Sequence, residues 1–220
     1  MSELYRTKIG MRDYKVAQPE KEEVIEKWKQ GIDEIFQILS ADKLERDKLE
    51  EFMRRDRGRG CRFGGKMDKI FGLAENKESS ADDKRLLAIG LWIIVEVGDF
   101  SMFQSAIKVL KGGTFNLDSF LERKGNPNCI DTSVLTKVIA GWYGVEGNVK
   151  MVKDIDHSKQ PNKRDLHHFF ESSSGRVVDI WQLRESGGLG LDEQQFLRDR
   201  QDGKLLHSCV GKSKSIKQPS

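Results

Sequence analysis

A cysteine at the start of a helix, a histidine in a strand and an aspartate in the strand after it form an acyl-transfer constellation. The thiol attacks, the imidazole takes its proton, and the carboxylate holds the imidazole. This chain carries that order in one short stretch. Asn128-Cys129-Ile130-Asp131-Thr132-Ser133-Val134-Leu135 reads as a helix start. Leu166-His167-His168-Phe169-Phe170-Glu171 reads as a strand, and Arg176-Val177-Val178-Asp179-Ile180-Trp181 as the next one. A free thiol has a pKa of about 8.5, so little of it is nucleophilic at neutral pH. A helix N-terminus stabilises its anion through unpaired N–H groups, and an adjacent imidazole keeps the proton close. Adjacent strand residues face opposite sides, so only one of His167 and His168 can meet Cys129. The N–H of Cys129 itself is placed to help bind a developing oxyanion.

The elements that must position these groups follow from spacing. Pro19 to Leu39 predicts a helix, with Val24, Trp28, Ile32, Ile35, Phe36 and Leu39 at intervals of three and four. Ser40 or Asp42 is expected to cap a second helix through Leu44, Leu49, Phe52 and Met53. Residues 57–65 form a glycine- and arginine-rich break. Ala81 to Leu110 predicts one or two buried helices, divided near Gly98-Asp99. A helix from Cys129 to about Tyr143 is expected to end on Gly144 in a left-handed conformation. Strands follow at Asn148 to Lys153, His167 to Glu171 and Arg176 to Trp181, the last two joined by a turn at Ser172-Ser173-Ser174-Gly175. A last short helix is expected from Asp192 through Arg200. The pattern is α+β: a helical region over 1–110, a helix-on-sheet core over 111–205, and a basic, disordered tail over 206–220.

With these residues in view, the stretch resembles the transglutaminase-like superfamily over residues 126–183. That core has a cysteine, an acidic residue two positions on (Asp131), a helix leading to a glycine (Gly144), and a strand. Its next strand carries a histidine, then an aromatic and a glutamate at alternating positions, matched by His167, Phe169 and Glu171. The following strand holds an aspartate, matched by Asp179. The resemblance implies a papain-like cysteine-hydrolase fold with Cys129 as nucleophile, His167 as base and Asp179 as orienter, His168 being the alternative base. It also implies hydrolysis or transfer of acyl groups at peptide or amide bonds in a peptide or protein substrate. The chain departs from the pattern at Asn128, where the family has a glycine nearby, and at Ile180, where it often has a proline. Gln104, Asn126 and Trp92 are the side chains considered for completing the oxyanion hole.

Other features have plainer explanations. A lone cysteine is usually a small core residue, and Asp131 in a helix first turn is stabilising wherever it lies. Residues 54–66, RRDRGRGCRFGGK, contain the glycine and lysine spacing of a phosphate loop. Met67 stands where a serine or threonine would hold magnesium, and no strand precedes the loop. Cys61 resembles the cysteine motif of arylamine N-acetyltransferases, but no histidine follows until His157. The same loop offers a nucleic-acid reading, and a non-catalytic binding module on the same fold is the other alternative. The net charge of +3 on 220 residues gives no global case for nucleic acid. Cys61, Cys129 and Cys209 are solitary, and His207-Ser208-Cys209 lies in the tail, so neither a disulfide framework nor a metal is expected. No cofactor is implied. No apolar run reaches membrane length, and residues 1–6 do not read as a secretory signal. The expected compartment is the cytoplasm.

Overall fold

The computed structural model describes residues 4–9, 12–17, 22–54, 67–76, 79–97, 115–116, 129–155, 164–180 and 183. The fold is α+β. Helix α1 (Glu22–Ser40) buries Trp28, Ile32, Ile35 and Leu39, the stripe its spacing predicts. Helix α2 (Arg46–Arg54) buries Leu49, Phe52 and Met53. It starts later than expected: the Glu45 carbonyl accepts from Leu49 N at 3.1 Å, so neither Ser40 nor Asp42 is its cap. Helix α3 (Met67–Glu75) was not anticipated, although Met67, Ile70, Phe71 and Ala74 recur at helical spacing and are buried. Arg46 joins α2 to α3 through a fork on Glu75, with bonds of 2.7 and 2.8 Å, and lies over the Phe71 ring.

Helix α4 (Ala81–Val97) opens on a capping box. Asp83 N donates to Ser80 Oγ at 3.1 Å, and Ser80 N donates to Asp83 Oδ2 at 2.9 Å. Its residues from Leu86 to Glu96 are buried on every face, so it is a central element. On one side it packs against α1. On another it meets helix α5 (Cys129–Trp142), which is buried almost all round. Gly90 brings α4 close to the sheet corner, since a Cβ there would come within 2.7 Å of Leu183.

Helix α5 ends as its sequence predicts. Gly144 has φ of 73°. Val145 N bonds to Ala140 O at 3.0 Å and Gly144 N to Gly141 O at 3.1 Å, a Schellman motif. Strands β4 (Gly147–Ile155), β5 (Arg164–Ser172) and β6 (Val177–Val178) form an antiparallel sheet in that order. Met151 stands opposite His168, and Phe170 opposite Val178. The β5–β6 turn closes with Gly175 at φ 82° and Ser172 N bonded to Arg176 O at 2.8 Å. Arg176 then reaches Asp83 at 2.9 Å, tying this turn to the α4 capping box. A second sheet pairs β1 (Leu4–Ile9) with β2 (Arg12–Ala17), antiparallel, and β2 with β3 (Phe115–Asn116), parallel. This hairpin was not anticipated either.

The buried residues of α1–α4 and those of α5 and the β4–β6 sheet form one hydrophobic cluster. The division near residue 110 is therefore one of chain segments that share a core. The expected helix at Asp192 to Arg200, the tail, and residues 55–66 lie outside the described residues.

A polar seam locks α1, α4 and the end of α5. Arg85 pairs with Asp33 and lies 3.6 Å over the Phe36 ring and 4.3 Å over Tyr143. The Tyr143 hydroxyl donates to Lys29 O at 3.2 Å. Burial, and next the negative charge of Asp33, push the Tyr143 phenol above its usual range. The folded state thus holds this proton more tightly than the unfolded chain, which ionises near pH 10. The stabilisation is complete below about pH 10 and is lost as pH rises through the folded value. Urea midpoints measured from pH 8 to 11 are expected to fall less steeply in Tyr143→Phe than in the wild type.

Candidate active site

Cys129 is the first residue of α5, where the N–H groups of Cys129, Ile130 and Asp131 have no acceptor within their own helix. The apolar residues Val134, Leu135, Val138 and Ile139 bury α5 and hold it against β5 and α4. That packing sets the first turn of α5 over the middle of β5. Cys129 Sγ lies 3.9 Å from His168 Nδ1, at the long end of a sulfur hydrogen bond. Both residues are 5% exposed.

The histidine that meets Cys129 is thus His168. Strand alternation puts position 167 on the other face of β5, so the expected pairing of Cys129 with His167 gives way to His168. Phe170 shares the His168 face and belongs to the common core, as does Val178 opposite it.

Asp179 stands elsewhere than expected. The pairing of β6 with β5 ends at Val178, and Leu183 N bonds to Asp179 O at 2.9 Å, so Asp179 begins a helical turn. Continuing the β5–β6 register by one step sets it opposite Phe169, on the alternate face from His168. Asp179 is 4% exposed, and a buried aspartate at a helix start has a structural use of its own.

Around Cys129 the first turns of α5 carry buried Asp131, Thr132, Ser133 and Thr136. Their hydroxyls bond within the helix: Ser133 Oγ to Cys129 O at 2.6 Å, Thr132 Oγ1 to Cys129 O at 3.2 Å, and Thr136 Oγ1 to Thr132 O at 2.8 Å. The two hydroxyls on the Cys129 carbonyl were not singled out in the sequence. The signal for them is the pair of hydroxyl residues three and four positions after the cysteine.

Of the side chains considered for an oxyanion hole, Trp92 packs against Trp28 and Phe52, with ring centroids 6.1 and 5.7 Å away. This places it among the α1, α2 and α4 side chains. Gln104 and Asn126 lie outside the described residues, as do Cys61 and Cys209. Helix α2 ends at Arg54 and α3 begins at Met67, and residues 55–66, which carry the phosphate-loop spacing, lie outside the described residues. Among the described residues, no three His, Cys, Asp or Glu side chains are grouped to hold a metal, and no helix is long and apolar enough to cross a membrane.

Compared with models of protein families, with curated proteins and with solved structures, the chain matches none.

Proposed function

We propose that the protein is a cysteine-dependent acyl hydrolase or acyltransferase acting on peptide or amide bonds, in a transglutaminase-like, papain-like core. Cys129 is the nucleophile and His168 its base. The observation that carries this reading is the approach of Cys129 Sγ to His168 Nδ1, 3.9 Å, at the N-terminus of a helix laid on an antiparallel sheet. The thiol proton passes to His168, and the thiolate attacks the substrate carbonyl carbon. The oxyanion forms beside the N–H of Cys129. His168 returns the proton to the leaving amine as the C–N bond breaks, leaving a thioester on Cys129. Water or an amine then attacks the thioester, losing its proton to His168, and the thiol is restored. The orienting role of Asp179 rests on the family resemblance alone, and this sequence of steps does not require it.

The burial of both groups favours a second reading, a non-catalytic binding module in which Cys129 is a core residue. The two readings separate under limiting iodoacetamide at about pH 6, with labelled cysteines read by peptide mass spectrometry. The acyl-transfer reading expects Cys129 to be labelled well ahead of Cys61 and Cys209. A Cys129 that is labelled last, as its burial alone dictates, would leave the binding module standing.

A further inference from the structure

Two side-chain hydroxyls converge on one backbone carbonyl, that of Cys129, with Ser133 Oγ at 2.6 Å and Thr132 Oγ1 at 3.2 Å. A helical carbonyl also accepts the N–H four residues on, so this oxygen draws three donors. Ser133 and Thr132 are buried, where hydrogen bonds polarise one another more than they do in water. We propose that Ser133, assisted by Thr132, is a positioning residue for the Cys129 thiolate. By donating to Cys129 O it polarises the peptide unit whose N–H belongs to Ile130, a first-turn donor at the anionic end of the site. It also fixes the backbone from which the Cys129 side chain springs. The inference rests on the thiolate reading of Cys129 given above.

Cooperative strengthening of about 10–30% per bond sets a modest effect, large enough to read in a titration. The buried charged or titratable side chains around α5, among the described residues, are His168 on β5, Asp131 on α5 itself, Asp179 after β6 and Glu96 on α4. Lys150 on β4 is paired with Glu171 on β5 at 3.1 Å, and Arg85 on α4 with Asp33. None of these is altered by removing the Ser133 hydroxyl. Thr136 supplies an internal comparison one relay further away, because its bond to Thr132 O polarises the Ser133 N–H and not the Ile130 N–H.

The test is the rate of iodoacetamide labelling at Cys129 against pH, in the full chain. Ser133→Ala is expected to raise the apparent pKa by about half a unit and to slow labelling on the acid side about threefold. Thr132→Val, which removes the longer bond, shifts it less in the same direction. Ser133→Thr keeps a hydroxyl and titrates as wild type, and Thr136→Val, one relay further away, shifts it less than Ser133→Ala. A Ser133→Ala protein that titrates as wild type, a Ser133→Thr protein that titrates like the alanine variant, or a Thr136→Val protein shifted equally would overturn the proposal. If wild-type Cys129 titrates as an ordinary thiol and His168→Ala changes nothing, the underlying acyl-transfer reading fails instead. An acid-shifted wild type with an unmoved Ser133→Ala sinks the Ser133 role alone.

Discussion

Trp92→Ala is expected to cost about 3–5 kcal/mol of stability, as removal of a buried tryptophan generally does. The indole fills the interface of α1 and α4 and meets Trp28 edge-on at 86°. It lies so close to α1 that a Cβ built on Gly31 would fall 2.1 Å from its ring. Glycine is therefore required at 31 by the neighbouring side chain, in an ordinary helical backbone. Gly31→Ala with Trp92 intact overpacks the site and is expected to cost about 1–3 kcal/mol. In a Trp92→Ala background the space is free, and the same change should be nearly neutral. A urea-denaturation double-mutant cycle measures this coupling. Additive losses would mean that α1 and α4 do not approach as described. The indole Nε1 is buried without a hydrogen-bond partner among the described residues. Trp92→Phe, which deletes that donor while keeping a ring, should therefore be much milder than Trp92→Ala.

His168→Ala is expected to slow labelling of Cys129 at pH 6 about a hundredfold. The magnitude follows from ionisation alone. A thiol of pKa about 8.5 is only about 0.3% thiolate at pH 6, whereas a thiolate paired with a protonated imidazole is mostly formed there. Above about pH 9 the two proteins should converge, since the unassisted thiol also ionises. Burial in an apolar surround opposes this by raising a thiol's pKa. The 3.9 Å approach of His168 and the α5 N-terminus are the two features that must outweigh it. His167→Ala has no such effect, because the imidazole beside the Cys129 thiol is that of His168.

The helix that carries Cys129 was legible at both ends, from the apolar spacing of Val134, Leu135, Val138 and Ile139 and from Gly144. The choice between the two histidines was not. Family spacing pointed to His167, but face is decided by which side of β5 receives α5. Phe169 and Phe170 are both fully buried, so both faces of the strand are apolar and hydrophobic alternation is silent there. Asp179 looked like a mid-strand residue because valines, an isoleucine and a tryptophan flank it. Aspartate also starts helices, and that preference prevailed at the end of β6. Helix α3 carries helical spacing at Met67, Ile70, Phe71 and Ala74, but at 9 residues, with Gly72 inside it and an arginine- and glycine-rich stretch before it, its local signal is weak. The β1–β2 hairpin lies in a charged stretch with no strong alternation. Its third strand, β3, comes from far along the chain, a pairing that local reading cannot reach.

The most direct measurement is the labelling rate of Cys129 against pH in the wild type and in His168→Ala, resolved by peptide mass spectrometry. The account predicts a wild-type rate that stays high well below the free thiol's pKa of about 8.5 and collapses on the acid side in the variant. Superimposable curves, both rising only with ordinary thiol ionisation, would contradict it and leave Cys129 and His168 as neighbours in a core.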